Sequence, residues 1–223
     1  RNGSSQLIVN GTGDQNISGV GDVDKFEINK ASGDLIFNSN VVIYTGVWTH
    51  TAGNIIWNGH TVTCNATPVT ILNGNFYNLT FNSSALVATI TNNTIVNNTL
   101  TLTALATING SAIEVKGDIV YTDTSWTGSS TVIANGTVDQ NISGTGEVSN
   151  FEIDKLSGNL IVNSNLNINI GTWTHTAGNI VWTGNTLNCT GTPVTIVDGR
   201  FDNLTLNNAS LVVTITNNTI VNN

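Results

Sequence analysis

The sequence predicts an all-β chain wound as a parallel β-helix (a β-solenoid) with rungs of about 20–27 residues. Three observations lead there. Short β-branched runs alternate with Asn, Gly and Ser; no window carries the apolar period of a capped helix; and one long stretch recurs without a gap. Tandem β-sandwich domains are the competing architecture, kept open by hairpin-type Asn-Gly pairs.

The runs come first. Leu35-Ile36-Phe37, Val69-Thr70-Ile71, Leu86-Val87-Ala88-Thr89-Ile90 and Leu160-Ile161-Val162 are short, and Asn, Gly or Ser bounds each. Branched side chains pack on a pleated surface, while Asn and Gly accept the bends between strands. Composition points the same way. Charged residues are 9% of the chain against roughly 25% in ordinary soluble domains. Asn, Thr, Ser and Gly take their place, and these residues disfavour helices by competing for backbone hydrogen bonds or by their backbone entropy.

The recurrence is the strongest signal. Asn10-Gly11-Thr12 and Asp14-Gln15-Asn16-Ile17-Ser18-Gly19 return as Asn135-Gly136-Thr137 and Asp139-Gln140-Asn141-Ile142-Ser143-Gly144. Trp48 to Ile55 returns as Trp173 to Ile180, and Thr89 to Asn98 as Thr214 to Asn223. At an offset of about 125 residues, roughly 63 of 98 aligned pairs are identical. The organisation expected is a first repeat over 1–125 and a second, truncated one over 126–223, joined as one solenoid. The start at Arg1, without Met or signal peptide, suggests a window cut from a longer array. Inside each copy, Phe26-Glu27-Ile28 is echoed by Phe76-Tyr77-Asn78-Leu79, and Trp48-Thr49 by Trp126-Thr127. Spacings near 50 and 75 suggest a unit of about 25 residues. Five such rungs would advance the axis by roughly 24 Å per repeat.

Charge narrows the function. The net charge is −8 with six Lys and Arg, so no basic stripe exists for nucleic acid. No apolar run approaches the roughly 18 residues of a membrane span. Both copies keep Asp14 with Asp139, Glu27 with Glu152, and Lys30 with Lys155; these read as solvated surface charges, the lysines pairing with the glutamates. The spacing of the acids, about 13 residues, is not a rung length, which argues against a stacked catalytic cluster. No catalytic, cofactor or metal site is predicted. His50 and His175 read as hydrogen-bonded turn histidines, since a metal needs three or four converging ligands. Cys64 and Cys189 are equivalent positions too far apart for a disulfide, hence buried thiols. Trp48, Trp57, Trp173 and Trp182 read as core rather than a sugar-stacking platform. The triplets Thr61-Val62-Thr63, Thr89-Ile90-Thr91 and Thr101-Leu102-Thr103 lie about 28 and 12 residues apart, too irregular for a stacked ice-binding column.

The one modification signal is about fifteen Asn-X-Ser/Thr sequons. Those kept in both copies are Asn10 with Asn135, Asn16 with Asn141, Asn78 with Asn203, and Asn92 with Asn217. They serve either as N-glycan acceptors or as turn residues forming stacked amide ladders.

Three phrases, Phe76-Tyr77-Asn78-Leu79-Thr80-Phe81-Asn82, Asp139-Gln140-Asn141-Ile142-Ser143-Gly144 and Asn97-Asn98-Thr99-Leu100-Thr101-Leu102, resemble long bacterial and archaeal surface proteins built of β-helical repeats, adhesin-like in the manner of the filamentous haemagglutinins. The resemblance covers essentially the whole chain. It implies an extracellular, cell-surface location and a fibrous or adhesive role. The expected partners are further copies end to end, covalent or stacked, and surface glycans.

Overall fold

The computed structural model describes residues 6–19, 21–103, 106–122 and 127–223. Trp126, half of one internal echo, lies outside them. About 66% of the chain is strand, and the strands wind into a parallel β-solenoid of about 10 turns. Every ladder among the described residues is parallel, as in the pairs Leu7↔Phe26, Val62↔Leu79 and Ile196↔Ile215. A β-sandwich is thereby excluded.

Each turn has three short walls. On the first, Leu7, Phe26, Trp48, Ile71 and Ile90 follow one another, and Ala88 passes the column on to Ile108. On the second, Ile17 lies below Phe37, and higher up Phe76, Val96, Val115, Ala134, Ile153 and His175 are in register. On the third, Val41, Val62, Leu79, Leu100, Ile119, Ile142 and Val162 stack. Steps between partners range from the 17 residues of Thr61↔Asn78 to the 23 of Trp48↔Ile71. Corner loops absorb the difference, so the walls stay in register.

Alternation along the strands builds the core. Thr61 and Thr63 face out while Val62 and Cys64 face in, and Leu86, Ala88 and Ile90 point in along Leu86–Thr91. The interior is closely stacked. Phe26 and Trp48 lie 4.8 Å apart on one wall, Phe37 and Trp57 4.4 Å apart on the next, and Trp48 meets Phe76 at 5.3 Å. All four repeat-related tryptophans are buried, as the sequence suggested. Cys64 and Cys189 are buried free thiols, also as expected. Corners are turned by residues that tolerate a left-handed backbone: Asn73 (φ 53°) and Asn92 (φ 61°) in the first copy, Asp198 (52°) and Asn217 (60°) in the second.

The ladders revise the expected step. Phe151 and Ile153, the equivalents of Phe26 and Ile28, pair with Val132 and Ala134 on the second wall rather than the first. Ile142, the equivalent of Ile17, stands on the third wall above Ile119. The repeat therefore spans six rungs plus one wall. At about 4.8 Å per rung this advances the axis by roughly 30 Å, not 24 Å. The suggested 25-residue unit is not a rung either. The 50 residues from Phe26 to Phe76 cross to the next wall, and the 75 from Phe76 to Phe151 carry four rungs up one wall.

Candidate functional site

The polar groups kept in both copies are concentrated in a clasp at the corner where the long strands Asp22–Phe37 and Asn150–Val162 bend from one wall to the next. Lys30 and Lys155 are only 2% exposed, so the reading of solvated lysines paired with glutamates is overturned. The Lys30 ammonium donates to Gly11 O, Gly13 O and Gln15 Oε1, each at 2.8 Å. Lys155 repeats the set with Gly136 O (2.8 Å), Val138 O (2.9 Å) and Gln140 Oε1 (2.7 Å). Three donors meet three acceptors, which satisfies an ammonium without a contacting carboxylate. Burial pulls the Lys155 ammonium below the usual lysine range, and the charge of Asp139 partly opposes this. Above each lysine lies a tight turn: Gly53 and Gly178 have φ of 107° and 103°, and a Cβ there would meet the lysine Cβ at 2.7 Å. His50 and His175 hold these turns by Nε2–H bonds to Gly53 O (2.9 Å) and Gly178 O (2.8 Å), the turn role expected of them.

The acids do not cluster. Asp14 and Asp139 accept from the backbone N–H of Asp34 and Asn159 on the next rung. Glu27 accepts from Gln6, and Glu152 from the Thr176 hydroxyl on a different wall. Among the described residues, no three His, Cys, Asp or Glu converge as metal ligands do. Among the described residues, no helix is long and apolar enough to cross a membrane. A hollow of about 570 Å³ is lined by Gly21, Asp22, Asp24 and Tyr44. In the second copy Glu147, Ser149 and Asn169 replace its three side chains.

The outer corners carry side-chain ladders. Asn38 donates to Asn16, Asn58 to Asn38, Asn92 to Asn73, Asn98 to Asn78 and Asn163 to Asn141, each from the later rung to the earlier. Six of the eight shared sequon asparagines spend their Nδ2 this way. Asn78 and Asn203 donate to Gly59 O and Gly184 O, and Asn92 and Asn217 to Asn73 and Asp198. Asn135 and Asn141 donate to Glu114 and Asp118 of the first copy. Asn10 and Asn16 are exposed, with no acceptor for Nδ2 among the described residues.

Thr residues stack more regularly than their sequence spacing suggests. Thr61 and Thr63 lie below Asn78 and Thr80, which lie below Thr99 and Thr101. Unequal gaps therefore do not prevent stacking, because loops rather than walls take up the extra residues. Thr89 and Thr91 stand on the first wall, above Thr70 and Leu72, outside that column.

The lysine clasp carries no motif of its own in the sequence. Its only trace there was the co-retention of Gln15, Lys30 and His50 with Gln140, Lys155 and His175. Comparison of the chain with protein-family models, with curated protein sequences and with solved structures gives no match.

Proposed function

We propose that this chain is a non-catalytic structural element of an extracellular fibre, stalk or surface-layer-like filament. The observation that carries this reading is the unbroken passage of the ladders from one copy into the next. Leu100, Ile119 and Ile142 form one column across the copy boundary, and so do Val115, Ala134 and Ile153. A fold that adds copies without interrupting its core grows along one axis. The later-to-earlier sense of the amide ladders gives that axis a polarity, and sparse charge sets little repulsion against stacking.

The partners in this reading are further copies of the unit, with surface glycans as a second class. An asparagine that spends its Nδ2 on the rung below is a poor glycan acceptor, and Asn78, Asn92, Asn203 and Asn217 all do so. Peptide mapping of native material is expected to show bare side chains at these four. Electron microscopy of native assemblies tests the main reading. Thin rods support it, and compact monodisperse particles would sink it. The alternatives are a spacer or binding region of an adhesin and, furthest from the geometry, a polysaccharide-processing β-helix. Turnover in a screen against acidic polysaccharides would favour the last.

A further inference from the structure

We infer that the copy junction inside this chain is a reusable joint: each further copy of the 125-residue unit seats on the one before, advanced by about 30 Å and turned by a third of a revolution. This deepens the fibre reading and rests on it for its setting. The partner is another copy of the same unit, and the fitting surface is the upper edge of all three walls.

The internal junction shows how the joint is made. Ile142 continues the column of Ile119, and Val132 that of Ile113, so the core crosses without a step. Gln140 then stitches the copies. Its Oε1 accepts from Lys155 and from Gly136 N–H, while its Nε2 donates back to Val115 O (2.9 Å) and Gly117 O (2.6 Å) of the preceding copy. Asn135 and Asn141 reach back to Glu114 and Asp118 in the same way. Gln15 holds the same Lys30 clasp through Oε1, which leaves its Nε2 as the equivalent donor toward a preceding copy.

The turn follows from the registers. The Phe26–Trp48 stack lies on the first wall and the Phe151–Trp173 stack on the second. A third copy falls on the third wall, and a fourth returns to the first after nineteen rungs, or about 90 Å. Equivalent surface groups of three consecutive copies thus face three directions. A long array meets its surroundings on all sides and does not present one repeated face to a flat partner.

The test extends the full chain by appending a second copy of residues 99–223 after Asn223, which keeps phase because Asn223 is the equivalent of Asn98. A crystal structure is expected to show the third Phe-Trp stack on the third wall, with unbroken ladders. A third stack on the second wall, or an added copy folded as a separate lobe, overturns the inference. Two variants of the unextended chain probe the stitch by a second route. Gln140→Leu loses the clasp and both junction bonds, whereas Gln15→Leu loses the clasp alone. Gln140→Leu is expected to unfold at clearly lower denaturant, and equal midpoints would remove Gln140 from the joint. The two readings fail separately. A wrong step leaves native rods intact, and an absence of native rods leaves the step of the extended chain measurable.

Discussion

At the scale of single residues, the structure separates groups that look alike in sequence. Lys155 shows how a long charged side chain can be interior: its ammonium replaces the water that three converging acceptors would otherwise need. A sequence scan assigns such a lysine to solvent because exposure is its usual state, and the carbonyls that hold it come from residues 17 and 19 positions earlier. Lys155→Met keeps the stem and removes all three donors, so Gly136 O and Val138 O lose this partner and Gln140 Oε1 keeps only the Gly136 N–H. It is expected to cost about 3 kcal/mol in a denaturant titration, and a loss under 1 kcal/mol would show that the clasp holds nothing. Trp48 and Trp57 make a second contrast. The Trp57 Nε1–H donates to Asn75 O at 3.0 Å, whereas the Trp48 and Trp173 Nε1 groups are buried without an acceptor. Trp57→Phe therefore loses a hydrogen bond that Trp48→Phe does not, and should be the more destabilising by about 1 kcal/mol. Burial raises the Cys64 thiol to about 12 and that of Cys189 to about 11. Neither should react with a maleimide at neutral pH until the chain unfolds.

At the scale of strands and corners, the sequence was most legible where one residue decides one conformation. The inward positions of Thr61–Cys64 and Val69–Leu72 follow from alternation alone, and the left-handed corners fall on Gly, Asn and Asp, with Thr183 the exception. Legibility was lost where strands of different rungs meet, because loop length hides register. Thr63 and Thr80 are 17 residues apart and Thr80 and Thr101 are 21 apart, yet the three stand in one column. Glu114 shows what register brings together: it accepts from Asn93 below and Asn135 above on the second wall, with Lys116 beside it. The Asn135 amide, aided by Lys116, holds its carboxyl below the usual range against a smaller opposing effect of burial. A carboxyl lowered on folding stabilises the fold above its unfolded pKa, and that stability is lost as pH falls through the folded value. Acid titration should therefore lower the unfolding midpoint below about pH 4.5, and Glu114→Gln should flatten that fall. An unchanged acid limb would remove Glu114 from the linkage. The effect is small, because the carboxylate is only part-buried.

At the scale of the whole molecule, an alignment of the two copies reports where the sequence starts again, not where the coil completes a turn. The two differ here by one wall, and a period of 125 residues carries no mark of that third of a turn. Registers expose it, that of Phe151 on Val132 and that of Ile142 on Ile119. The same register removes any structural boundary at 125/126, since each copy closes the other's core through Ile119, Ile142, Val132 and Ala134. A solenoid's stability is a sum of rung and neighbour terms, so damage at the junction should spread both ways. Ile119→Ala truncates a fully buried side chain in the last complete rung of the first copy and should cost about 2–4 kcal/mol. Native-state hydrogen exchange should then quicken together over the amides of residues 99–102 and 140–144, which flank it on the third wall. Two independent domains would behave otherwise: protection would fall in the first copy and persist in the second. That pattern would overturn the single continuous core on which the fibre reading and the rotating joint both stand.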